Sequence, residues 1–265
     1  MYIEGKNAIR QALESKITIN KIMVDKNIQG RKDEIINLAV QNKIKFEFVP
    51  KVVLDKKSKT GHHQGYIAET VDFNYSSVED ILNKAKSKHE KPFVVILDGI
   101  EDPHNFGAII RSCECAGVHG IIIPKNRAVQ VNETVIRTST GAISNMLIAK
   151  VTNLKDAINE LKNNDVWVFA AETGGENIYN KKLNQNIAIV IGSEGFGIKK
   201  SILQQCDGTI TLPLCGQVNS LNASVACGIV IFEILRQRLG EKNDWWRTFF
   251  KSTRRRWIFC RYSSF

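Results

Sequence analysis

Three stretches between residues 97 and 224 carry the side chains best suited to chemistry. The first runs Leu97-Asp98-Gly99-Ile100-Glu101-Asp102-Pro103-His104-Asn105-Phe106-Gly107-Ala108-Ile109-Ile110-Arg111. Its apolar start breaks into a polar turn, and Asn105 stands where a helix is expected to begin, in the manner of an N-cap. Ile109, Ile110 and Cys113 would then face a core and leave Arg111 on another side, either solvated or free to meet a ligand. The second stretch, Gly192-Ser193-Glu194-Gly195-Phe196-Gly197, follows the apolar run 187–191. Its glycines permit a sharp turn and close backbone approach to a ligand. The order GxxGxG differs from a dinucleotide fingerprint, and Glu194 would repel a pyrophosphate while tolerating a cationic ligand such as a sulfonium. The third, Leu212-Pro213-Leu214-Cys215-Gly216-Gln217-Val218-Asn219-Ser220-Leu221-Asn222-Ala223-Ser224, opens an apolar helix with Ser220, Asn222 and Ser224 in its first turn. A serine cap with spare hydroxyls and the edge of an active site both fit that pattern.

Such loops need a frame, and residues 92–240 supply one. Continuous apolar runs at 93–97, 121–123, 166–170 and 187–191 read as strands buried on both faces. Helical periodicity intervenes at 105–116, 153–163 and 198–205. Alternation of this kind predicts an α/β unit with a mainly parallel sheet, whose strand ends at the carboxyl side hold the ligands. The helix 223–235 is apolar almost all round, so it must be covered by a core or by another subunit. Residues 1–72 read as a small α/β module: a helix through Ala8–Leu13, a strand at 21–24, a helix at 35–39, a strand at 46–49, and a turn at Gly61–Gly65 leading into a strand at 66–71. A polar linker with a short helix at 77–86 is expected over 73–91, and 241–265 forms a basic, aromatic tail. That tail reads either as an RNA-stacking segment or as a disordered extension.

The net charge of +10 is unevenly spread. Residues 91–240 are nearly balanced, whereas thirteen Lys/Arg face nine Asp/Glu over 1–72 and seven face two over 241–265. A polyanion held by a terminal module would account for this distribution, as would a generally basic proteome. No apolar run is long enough to span a bilayer, and the first residues lack a secretory pattern, so a cytoplasmic protein is expected. The six cysteines have neither disulfide-framework nor zinc-ligand spacing, and reduced thiols without a metal site are expected.

Taken together, NFGAIIR, GSEGFG and LPLCGQVNSLNASVA resemble, in order and spacing, the three signature motifs of the SpoU/TrmH family within the SPOUT class. The amino-terminal GKNAIRQAL and GHHQG resemble the RNA-binding domain of its RlmB-type branch. The resemblance covers essentially 1–240 and implies a trefoil-knotted catalytic domain at 92–240 behind a substrate-binding domain at 1–72. It implies a homodimer that transfers methyl from S-adenosylmethionine to a ribose 2′-hydroxyl, with a guanosine of 23S rRNA as the target, naked or in a precursor particle. Carried over by position, Gly192, Leu212 and Leu221 contact the cofactor, and Asn105, Arg111, Glu194, Ser220 and Asn222 are catalytic. Arg111 would act as base or, since guanidinium resists deprotonation, as an electrostatic clamp. A tRNA guanosine methyltransferase, a non-catalytic RNA-binding assembly factor and, on the glycines alone, a nicotinamide-dependent oxidoreductase are the alternatives.

Overall fold

The structure, a computed structural model, describes residues 2–14, 19–28, 33–58, 60–70 and 73–240. The expected tail at 241–265 lies outside the described residues. The elements, in chain order, are β1 (Tyr2–Glu4), α1 (Lys6–Glu14), β2 (Ile19–Asp25), α2 (Glu34–Gln41), β3 (Lys45–Val49), α3 (Lys51–Lys57), β4 (Tyr66–Thr70) and α4 (Val78–Ser87). They continue with β5 (Phe93–Asp98), α5 (Pro103–Cys115), β6 (Gly120–Pro124), α6 (Glu133–Thr138), β7 (Leu147–Val151), α7 (Leu154–Asn163) and β8 (Trp167–Asn177). The last are β9 (Ile187–Gly192), α8 (Lys200–Leu203), β10 (Gly208–Thr211) and α9 (Ala223–Gly240).

Two sheets organise the described residues. The larger has the order β10-β8-β9-β5-β6-β7 and every neighbouring pair is parallel. The expected runs are buried for the expected reason, because each face of the sheet has its own core. Phe93, Val95, Leu97, Ile187, Ile189 and Ile191 pack with α5 and α9 on one side. Val94, Ile96, Ala188 and Val190 pack with α4, α7 and α8 on the other. Each fully buried aliphatic side chain there stabilises the fold by about 1.5–3 kcal/mol, an upper figure because denatured chains are already partly collapsed. The smaller sheet, order β1-β4-β2-β3, pairs β2 with β3 in parallel and its other neighbours antiparallel. Its residues Ile3, Ile22 and Ala68 pack in the same core that reaches α5, and the Glu133 carboxylate accepts from Glu4 N at 2.9 Å. No helix among the described residues is long and apolar enough to cross a membrane.

Several readings need correction. The stretch 73–91 is a packed part of the larger unit rather than a tether. Ser77 and Asp80 form a capping box at the start of α4, whose Val78, Ile81 and Ala85 are buried in the second core. Asn105 does not cap α5. Asp102 does, accepting from His104 N and Asn105 N, with Pro103 at the first helical position. Ser220 does not cap α9 either, since Asn222 Oδ1 accepts from Ser224 N at 3.0 Å and Val225 N at 3.3 Å. The helix expected over 198–205 shortens to 200–203. Strands β1, β7 and β10 and helices α3 and α6 were not legible, because each is short and several carry polar residues.

Candidate active site between the strand-end loops

Sheet register brings the first two loops together. β5 and β9 are neighbours with Asp98 opposite Gly192, so both chains leave the sheet at the same level. Buried Asp98 fixes this junction by accepting from Lys199 N at 2.9 Å and Lys199 Nζ at 2.6 Å. The glycine loop closes on itself between Ser193 and Gly197, whose backbones exchange hydrogen bonds of 3.2 and 2.9 Å. Gly192 makes the closure possible: a Cβ there would lie 2.3 Å from the Gly197 carbonyl carbon. Gly197 has φ +62°, and a Cβ on it would meet Glu172 Oε2 at 2.4 Å. That same Glu172 oxygen accepts from Ile198 N at 3.0 Å and anchors the loop's end.

The third loop arrives from farther away. β10 lies at the sheet edge beyond β8, and residues 212–222 cross back to α9, which packs against α5. The crossing delivers Asn222 to the first two loops. Asn105 Nδ2 donates to Glu194 Oε1 at 2.8 Å, and Asn222 Nδ2 donates to Asn105 Oδ1 at 3.0 Å. Asn222 Nδ2 also donates to Glu194 Oε1, and Ala223 N reaches the same oxygen at 3.3 Å. All these donors converge on Oε1, and among the described residues Oε2 takes no hydrogen bond. A carboxylate held by one oxygen and open at the other is arranged to accept a proton or a hydroxyl hydrogen bond.

Two cavities flank the glycine loop and share residues Ser193 to Gly197 as a common wall. The larger, about 610 Å³, is lined by Ile191, Gly192, Leu212, Ser220, Leu221 and Glu194 among others. All three residues expected to hold a cofactor, Gly192, Leu212 and Leu221, therefore face one space. The smaller, about 480 Å³, is lined by Asn105, Glu101, Arg127, Lys199 and again Glu194. Phe196, 97% exposed, lines both from the loop tip.

Of the five expected catalytic residues the structure joins three, Asn105, Glu194 and Asn222, through direct bonds. Ser220 lines the larger cavity without a hydrogen bond among the described residues. Arg111 stands apart: it is exposed on α5, lines neither cavity and has no partner among the described residues. Sequence reading missed Glu101 and Arg127. Glu101 belongs to the stretch 97–111, but whether it lines a cavity depends on which loop it faces, and Arg127 follows β6 with no motif to mark it.

Comparison with known proteins agrees with this geometry. The SpoU rRNA Methylase family matches residues 92–232, and the family described as RNA 2′-O ribose methyltransferase substrate binding matches residues 2–76. A Bacillus subtilis protein named as a TrmH family tRNA/rRNA methyltransferase, YacO, is 41% identical over 239 residues, covering 89% of this chain and 96% of its own. A Staphylococcus aureus protein of the same family name is 41% identical over 238 residues, with 89% and 96% covered. Among solved structures, the SpoU methyltransferase AviRb from Streptomyces viridochromogenes in complex with AdoMet shares the fold. It has a TM-score of 0.77 at 20% identity, over 90% of each chain. The A. aeolicus TrmH/SpoU tRNA modifying enzyme has a TM-score of 0.53 at 28% identity, over 62% of this chain and 82% of its own. The paired cavities around Glu194 thus belong to a fold and a sequence lineage already defined, and the chain is a member of the SpoU rRNA methylase family of RNA methyltransferases.

Proposed function

We propose that the protein transfers the methyl group of S-adenosylmethionine to the ribose 2′-hydroxyl of a guanosine in 23S rRNA. The observation that carries this reading is the shared wall: Glu194 lines both cavities, so a donor in one and an acceptor in the other would meet at a single carboxylate. The larger cavity offers an adenosyl group the apolar side chains of Ile191, Leu212 and Leu221 beside the backbone of the closed glycine loop. When bound, that cofactor supplies a methyl already activated by its sulfonium, so positioning does most of the work. Gly192 gives the backbone close approach, and Ser220 offers a hydroxyl at the rim. Glu194 Oε2 accepts the hydrogen of the ribose hydroxyl, while Asn105 and Asn222 hold the carboxylate in place.

Arg111 serves as the electrostatic clamp on an RNA phosphate, which its exposure and lack of an internal partner support. The module at 1–72 holds the substrate, in keeping with the substrate-binding family it matches. A homodimer is supported by α9, whose Val225, Ile229 and Phe232 fall on one helix face and are 50%, 38% and 46% exposed. Large apolar stripes of this kind mark association surfaces. Transfer to tRNA is the second reading, favoured by the joint tRNA/rRNA names of the relatives. Ribose methylation mapped across rRNA and tRNA, from cells with and without the gene, separates the two. Loss of one 2′-O-methylguanosine in 23S rRNA is the expected result, and unchanged rRNA would overturn the assignment.

A further inference from the structure

Among the described residues, six charged side chains line the smaller cavity, and four are already committed. Asp98 and Lys199 bond each other, Asp102 caps α5, and Glu194 holds the two carboxamides. The remaining two, Glu101 and Arg127, have opposite signs. Neither has a partner among the described residues, and they form no ion pair with each other. Their loops are nonetheless built. Val129 N donates to Ile100 O at 2.8 Å, tying the 124–130 loop to the 99–102 loop. Gln130 Nε2 reaches the carbonyls of Pro124, Lys125 and Ala128 at 3.2–3.4 Å, and Arg127 itself sits at φ +55°, a backbone region that side-chain-bearing residues rarely adopt. A free carboxylate and a free guanidinium are therefore presented from two mutually bonded loops into one cavity. Its volume of about 480 Å³ falls within the range of small-ligand sites, roughly 300–1,000 Å³.

The pair of charges selects the occupant. A phosphate would be repelled by Glu101, and the surplus of carboxylates in the lining makes the cavity a poor anion site. A guanine edge carries adjacent N1–H and N2–H donors for a carboxylate, and O6 and N7 acceptors for a guanidinium. Adenine offers neither set in that arrangement. We propose, resting on the methyltransfer reading above, that Glu101 and Arg127 read the base of the acceptor nucleotide as guanine. Exposed Phe196 at the cavity rim supplies the stacking face, since unpaired RNA bases are held by aromatic side chains.

The test uses the whole protein and an RNA fragment bearing the mapped target nucleotide as guanosine, inosine or adenosine. Wild type is expected to transfer methyl in that order of efficiency, with inosine intermediate because it lacks only the 2-amino group. Glu101→Ala and Arg127→Ala should each reduce the guanosine-over-adenosine preference by between about 5- and 150-fold, the discrimination of one bidentate contact to a base. Glu101→Gln, which keeps one acceptor, should fall between. Binding of S-adenosylhomocysteine by calorimetry should be unchanged in all three variants, which also reports that they fold. The inference is overturned if the preference survives both alanine variants, or if transfer to all three RNAs drops by one common factor. A loss of S-adenosylhomocysteine affinity, or a mapped target that is not guanosine, overturns it equally. A wild-type protein that methylates no RNA at all would instead defeat the underlying methyltransfer reading.

Discussion

Asn105 and Glu194, 89 residues apart in sequence, are joined by a hydrogen bond of 2.8 Å from Nδ2 to Oε1. The bond exists because β5 and β9 end side by side and because Asp102 relieves Asn105 of capping α5. It orients a carboxylate whose residue lines both cavities and whose second oxygen takes no hydrogen bond among the described residues.

Removing that carboxylate should stop the reaction more than it harms the fold. Glu194→Ala is expected to lower the rate of labelled-methyl transfer at saturating donor on the order of 10²–10⁴-fold, the contribution of a positioned acid–base group. Glu194→Gln should fall almost as far, because its amide would either turn an N–H toward the donors of Asn105, Asn222 and Ala223 or present one to the substrate. Turnover within a factor of three of wild type in both variants would remove Glu194 from the chemistry.

Arg111→Ala tests a residue that the fold leaves unattached. Melting temperature should hardly move, since an exposed side chain without partners contributes within roughly ±0.5 kcal/mol. S-adenosylhomocysteine affinity should likewise hold, while methyl transfer is lost. Weakened cofactor binding with normal turnover at saturation would assign Arg111 to the donor side instead.

His119 gives a pH-dependent stability. Its ring is 1% exposed, Nδ1 accepts from Phe93 N at 3.0 Å, and Nε2 is left to donate to Glu90 Oε2 at 3.0 Å. Burial pushes its pKa below the ordinary value of 6.5, although Glu90 pulls the other way. The unfolded chain then binds the proton more readily than the folded one. Stability is fully present above about pH 6.5 and declines as pH falls below it toward the depressed folded pKa. His119→Asn, which keeps an acceptor for Phe93 N, should cost stability at neutral pH but flatten the fall in melting temperature as pH drops below about 6.5. An unchanged slope would show that other groups govern it.

The exposed face of α9 can be tested by charge. Ile229→Glu places a carboxylate between Val225 and Phe232 on the apolar stripe, and sedimentation should show a shift from dimer to monomer with the melting of the monomer unit retained. A wild-type protein that sediments as a monomer, or a variant that remains dimeric, would assign the stripe to another partner.

How much was legible beforehand follows from range. The strands 93–97 and 187–191 and a helix over 105–116 announce themselves through local patterning, because burial on two faces demands continuous apolar runs and a buried helix face demands apolar residues three and four apart. Gly192, Leu212 and Leu221 come only from the resemblance of these loops to a known family, and all three line one cavity. The cap itself was misplaced, since Asp102 and Asn105 both suit the role and only the backbone path past Pro103 decides between them. The short helix expected at 77–86 is α4, but its packing is not legible, because its apolar set, Val78, Ile81 and Ala85, is thin between lysines and its burial depends on α7 and β7 far along the chain.

By itself the sequence determined the alternation of strands and helices and the three polar loops with the side chains they carry, for these rest on periodicity and residue chemistry within a few positions. Tertiary structure alone decided that Glu194 is shared by two cavities, that Arg111 stands outside both, and that Glu101 and Arg127 remain uncommitted. Those facts depend on strand register, on the return of residues 212–222 across the sheet and on which charges pair. Pairings over a hundred residues are set by the packing of whole faces, which no short window of sequence encodes.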